Sequence, residues 1–312
     1  MSGMFSLAKM VVNKKFPDEQ DEYIKSFFIA ALYGLLCKYK EYANIVCDVF
    51  LRVEIYMDSK PISDILKEHE FLVTDNEEDE DDYTTFGASD MGHYFYVDDK
   101  DNIKHDRTNP AIICTLVNVD ITHLLNIFCH EMSHLIKGEI NNYSYFKEKK
   151  TINHVLRTGY HFSLCKYNPQ YDELTSFELF ETFDELINTL QSTEILEYII
   201  SLKEFVNDEN IIDFINSLDQ VKIHHDYGYN NIIPYMKEFW KNDKFKKTIE
   251  QNIISGDIET VIRHIDKTIG YENAFYELIE TFDDLAYTED SKQHHEYVKR
   301  YQEILNNYKR NS

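Results

Sequence analysis

Between residues 18 and 46, apolar side chains recur at helical spacing (Tyr23, Phe27, Ala30, Ala31, Gly34 and Leu35), which predicts a helix with a buried face. The next stretch, from Val49 to Tyr56, alternates in part and is rich in β-branched and aromatic residues, so it predicts a strand. A short helix is expected over 61–69, with Pro61 near its start. His93–Val97 and Ala111–Val117 read as further strands, and the polar run Asp98–Asn102 as a hairpin turn. Beyond residue 140 strand signals fade. Segments 176–190, 194–206, 210–218, 231–240, 243–254, 257–268, 272–287 and 290–309 all carry apolar residues at i, i+3, i+4 and i+7. The pattern predicts an α+β, mostly helical chain, with an α/β half over residues 1–142 and an all-helical half over 143–312. The nonapeptides Glu178–Leu186 and Glu277–Leu285 resemble each other. Two copies with unlike flanks read as shared amphipathic composition, not as a repeat.

Composition narrows the classes of function. The 312 residues include 56 acids against 32 bases, a formal charge of −24. Neutralising phosphates needs a Lys/Arg surface, and no basic stripe is present, so nucleic acid is excluded as a partner. The same sign repels anionic lipid. The longest apolar run, Phe27–Cys37, is too short to span a bilayer, which takes about 20 residues, and the first residues lack the pattern of a secretory signal. Five scattered cysteines without a Cys-x-x-Cys read as a reduced set, so a cytoplasmic protein is expected. Seven acids among residues 75–82 read as a solvated loop.

One stretch departs from this background. From Asp120 to Gly138 the chain offers an N-cap, a continuous apolar frame (Ile121, Leu124, Leu125, Phe128, Met132, Leu135, Ile136) and a C-cap glycine, which predicts a helix of about 17 residues. Within it lies His130-Glu131-Met132-Ser133-His134. Two histidines four apart share one helix face and can share a metal. Glu131 is rotated by about 100° from His130, beside that position and not on it. With 13 histidines in 312 residues, a chance His-Glu-x-x-His is expected in roughly one such chain in twenty. The uncharged frame narrows that further, because charged groups are costly to bury.

This segment resembles the zincin metallopeptidases, over roughly residues 110–190. The resemblance implies a zincin-like N-terminal α/β half with the motif on its active-site helix. It further implies that His130 and His134 bind Zn2+ and that Glu131 is the general base for the water attacking a peptide carbonyl. A catalytic zinc site has three protein ligands and one open position. The metzincin extension is absent, since Lys137 and Ile140 stand where its Gly and third His would be. The chain is instead similar to gluzincins, in which a Glu on a downstream helix completes the set. The best match, Phe183–Thr189, implies Glu185 as the third ligand, with Glu181 one turn earlier as its rival. Two positions depart from the family pattern. Asp184 replaces the usual Asn, and Thr189 sits where a carboxylate supports a ligand His. A donor to the developing oxyanion is to be sought among Tyr160, His161, His224, His225, Tyr227 and Tyr229.

The expectation is a zinc-dependent metallopeptidase acting on a peptide or protein substrate, with the Ala111–Val117 strand bordering the cleft and pairing with an extended peptide. Two alternatives stay open: a zincin-fold binding or scaffold module without peptidase activity, and a zinc hydrolase acting on a non-peptide amide.

Overall fold

The computed structural model describes residues 2–57, 60–61, 87–97, 103–114, 120–140, 154–168, 173–219, 229, 231–288 and 290–311. The helix expected beyond Pro61, the acidic run 75–82, the 98–102 turn, and His224, His225 and Tyr227 lie outside them. The chain forms two compact units, each assembled from three stretches: Met1–Tyr94, His105–Ile136 and Asn188–Tyr227 in the first, Phe95–Lys104, Lys137–Ile187 and Gly228–Ser312 in the second. A single division at residue 142 is coarser than this interleaving.

The first unit grows around α2 (Glu22–Lys38), which Asp21 caps by accepting from the Tyr23 and Ile24 amides. From Phe27 to Leu36 every residue of this helix is buried, as expected of a helix that is apolar all round. Helices α1 (Ser2–Lys15) and α3 (Ala43–Arg52) flank it, and Phe16, Phe27, Phe28, Phe50, Phe128 and Phe214 meet in one aromatic cluster. Val49–Leu51, expected to open a strand, instead close α3. Val46, Val49 and Phe50 stand three and four apart and are buried on one face, and that burial outweighs the β-propensity of the run.

The strand itself is β1 (Glu54–Met57). It pairs with β2 (Lys60–Pro61) and runs parallel to β6 (Ala111–Cys114), which pairs on its other side with antiparallel β3 (Gly87–Asp90). The sheet order is therefore β2-β1-β6-β3. The outermost strand, Gly-Ala-Ser-Asp, is small and polar and gives no strand signal in the sequence. It packs on α4 (Ile121–Ile136), the helix that carries the His-Glu-x-x-His motif. β4 (His93–Val97) and β5 (Ile103–Arg107) form a separate two-stranded sheet.

The second unit corrects the expectation of an all-helical C-terminal half. β7 (Gly138–Ile140), β8 (His154–Thr158), β9 (His161–Asn168) and β10 (Glu173–Leu179) form a four-stranded antiparallel sheet in chain order. In β9, Phe162 and Leu164 are buried while His161 and Ser163, which alternate with them, are not, a period-two pattern too short to stand out. Helix α5 (Glu181–Ser201) follows β10. After it come α6 (Glu209–Ser217), which belongs to the first unit, and α7 (Ile233–Trp240), α8 (Asp243–Ile253), α9 (Ile258–Ile269), α10 (Ala274–Tyr287) and α11 (Ser291–Asn311) of the second. Their buried apolar stripes, such as Ile258, Val261, Ile265 and Ile269 on α9, follow the helical periodicity of the sequence. A fully buried Arg157 on β8 donates to the carbonyls of Gly159, Ile253 and Ile254, tying the sheet to the end of α8.

The fold is thus α+β and mostly helical. Among the described residues no helix is long and apolar enough to cross a membrane.

Candidate metal centre

Helix α4 starts where its cap dictates. The Asp120 carboxylate accepts from the Thr122 and His123 amides at 2.9 Å each, satisfying two of the donors that a helix start leaves open. The expected C-cap is different: the helix stops at Ile136, and Gly138 opens β7 opposite Thr158. Nearly all of α4 is buried, with Leu124, Leu125, Phe128 and Met132 fully enclosed.

One turn apart on this helix, the Nε2 atoms of His130 and His134 lie 3.2 Å from each other, with ring centroids 5.0 Å apart. Two imidazole nitrogens on a tetrahedral ion at 2.0–2.1 Å sit roughly 3.3 Å apart, so the pair already has the spacing of two ligands. Glu185 completes a group of three whose ligand atoms all lie within 4.8 Å of one another. Glu181 is not in that group. Two imidazoles and one carboxylate form a donor set that suits a divalent transition ion and leaves a coordination position open.

Glu131 is 8 % exposed. Its charge reaches Cys114 at the end of β6, whose thiol is pushed up to about 12, first by burial and then by that carboxylate. Strand β6 is hydrogen-bonded on both edges, to β1 and to β3, so it cannot itself take an extended peptide. Among the described residues, the outer edge next to α4 belongs to β3.

The two departures on α5 have distinct outcomes. Phe180, with φ 62°, turns β10 sharply into the helix, and its carbonyl accepts from the Asp184 amide. Asp184 is fully buried, and its Oδ1 accepts from the Tyr160 amide at 2.7 Å. Asp184 therefore ties the β8–β9 turn to α5. Thr189 is 3 % exposed, and its hydroxyl has no hydrogen-bond partner among the described residues.

Sequence reasoning missed three polar residues. The Asn188 Nδ2 comes within 3.5 Å of the His130 carbonyl oxygen, and the Ser192 hydroxyl donates to Asn126 Oδ1 at 3.3 Å. Polar residues inside apolar helix faces were the available signal, but only the pairing of α4 with α5 gives them meaning.

Among the oxyanion-donor candidates, Tyr160 is fully buried and its hydroxyl is committed to the Ile249 carbonyl at 2.7 Å. His161 pairs with Glu178 at 2.7 Å. The half-buried Tyr229 phenol is different: burial raises its pKa most, and the charge of Glu185 adds to the rise. Of the described candidates it is the one whose surroundings include a member of the group of three.

Comparison with protein families, with curated proteins and with solved structures returns no match. The chemistry is therefore argued from the residues themselves.

Proposed function

We propose that this chain is a zinc-dependent metallopeptidase that hydrolyses peptide bonds. The observation that carries this reading is the 3.2 Å separation of the two Nε2 atoms, with Glu185 in the same group. His130, His134 and Glu185 would hold the ion. Zinc bound there supplies Lewis acidity and lowers the pKa of water to about 7. Glu131 adjoins His130 on the same buried helix, where it would accept a proton from the attacking water and return it to the leaving amine. The Tyr229 phenol would donate to the developing oxyanion. An extended peptide would add to the outer edge of β3, from Gly87 to Asp90. Cys37, Cys47, Cys114 and Cys129 are free, which fits action in a reducing compartment, the cytoplasm.

Glu131→Gln tests the reading, because the amide keeps the shape of the side chain and removes the base. The variant should retain zinc, measured by mass spectrometry of metal content, and lose peptide cleavage by about 10²–10⁴-fold. Equal cleavage by variant and wild type would overturn the assignment.

The hydroxyl of Thr189, without a partner where a supporting carboxylate is usual, favours a second reading. In it the same fold holds a metal weakly and serves as a binding or scaffold module. Neither the wild type nor Glu131→Gln would then cleave any peptide in a diverse library.

A further inference from the structure

We propose that a ladder of polar pairs between α4 and α5 selects which carboxylate reaches the two histidines, making Asn126, Asn188 and Ser192 positioning residues. The proposal rests on the metal-site reading above.

The pairs have a regular order. Ser192 bonds Asn126, and Asn188 approaches the carbonyl of His130. Numbers rise by four on α4 as they fall by four on α5, so the helices run antiparallel along this seam. Each step is one turn, about 6 Å. Glu185, the residue that completes the group of three, comes three positions before Asn188 on α5. Asn126 is 4 % exposed, and Asn188 and Ser192 are completely buried.

Apolar packing fixes the register of α5 only in part. Its buried positions Phe183, Leu186, Ile187 and Leu190 repeat by one turn, since Phe183 precedes Ile187 by four and Leu186 precedes Leu190 by four. A slip of one turn would keep apolar residues at the places of Ile187 and Leu190 while bringing Gln191 and Ser192 to those of the buried Ile195 and Leu196, and it would bring Glu181 to the place of Glu185.

The polar residues forbid that slip. It would carry Asp184 to the place of Asn188, setting a carboxylate against the His130 carbonyl, acceptor against acceptor. The opposite slip would set Leu196 against Asn126 and leave a buried amide unmet. A buried polar group left unmet is destabilising, because it has lost its bond to water and gained none in return. One buried polar residue can fix the register of packed helices in the same way.

The test removes and then rebuilds the ladder in the full chain. In the wild type, Glu185→Ala should lower zinc affinity, read by competition with a chromophoric chelator, while Glu181→Ala leaves it unchanged. The double variant N126A/S192A should keep its helical circular dichroism and lose about 10–100-fold in zinc affinity. In that background Glu181→Ala should weaken what binding remains, a response that general loosening would not produce. The exchange N126S/S192N rebuilds the bond with its ends swapped and should recover most of the loss. Unchanged affinity in a folded N126A/S192A protein, or an exchange variant no better than the deletion, would overturn the proposal.

Register can also be read without metal. In the zinc-free protein, N126C/S192C should form a disulfide, located by peptide mass mapping, and N126C/N188C should not. Equal cross-linking of the two pairs would overturn the proposal even if N126A/S192A does not fold. A wild type that takes up no zinc but gives the expected cross-links would leave the ladder standing and remove the metal reading instead.

Discussion

Gly159 lets a buried carboxylate come closer than any side chain would allow. Its φ is +62°, and a Cβ placed there would lie 2.1 Å from Asp184 Oδ1, the atom that accepts from the Tyr160 amide. Gly159→Ala therefore adds left-handed strain of about 1–2 kcal/mol to the disruption of a buried charge-assisted hydrogen bond, worth about 1.5–3 kcal/mol. The variant should lose about 2.5–5 kcal/mol of stability, read by urea unfolding through the fluorescence of Trp240, the chain's single tryptophan. A loss below about 0.5 kcal/mol would mean that the turn rearranges freely. At this scale His130, Glu131 and His134 were legible, because their spacing alone puts them on one helix turn. The task of Asp184 was not. Its partner is 24 residues away and comes within reach only once β8 and β9 have formed their turn.

Among the elements, those with long periodic stripes were readable and those defined by pairing were not. Helices α7 to α11 follow the 3.6-residue pattern because each buries one face. The sheet of β7 to β10 escaped notice because Glu173–Leu179 fell partly inside a window that scored as helix, and because β9 alternates over few residues. β3 escaped because Gly87-Ala88-Ser89-Asp90 has no apolar alternation at all; hydrogen bonding to β6 makes it a strand.

The β9–β10 pairing carries a pH-dependent contact of its own. His161 Nε2 meets Glu178 at 2.7 Å, and Ser163 donates to the same carboxylate. Burial pulls the His161 pKa down, but the bond to Glu178 and the charges of Asp184, Glu178 and Glu181 outweigh it, and the net shift is upward. A raised histidine stabilises the fold in full below its unfolded pKa, about 6.5, and that contribution is lost as pH rises through the folded value. The stability difference between wild type and His161→Gln should therefore be greatest in mild acid, stay under about 1 kcal/mol for so exposed a pair, and vanish at alkaline pH. A difference that is constant with pH would show that packing, not charge, holds the pair.

For the whole molecule, the charge of −24 bears on partners more than on fold. If the chain cleaves peptides, basic ones should be cut faster than acidic ones at low salt, and the advantage should shrink once the ionic strength reaches about 0.15 M, where the screening length is about 8 Å. Cleavage rates indifferent to substrate charge at low salt would remove that expectation. The α+β, mostly helical class followed from periodicity. The interleaved division into two units did not, because it depends on which distant segments pack together. The candidate metal centre lies between these extremes. One helix supplied two of its side chains by spacing, and the third needed the register of a second helix.

Zinc content per chain tests the central claim most directly, measured on protein purified without chelator for the wild type, His130→Ala and Glu185→Ala. The wild type should hold close to one zinc per chain, and both variants should fall well below it. Less than about 0.2 zinc per wild-type chain, unchanged in His130→Ala, would contradict the account.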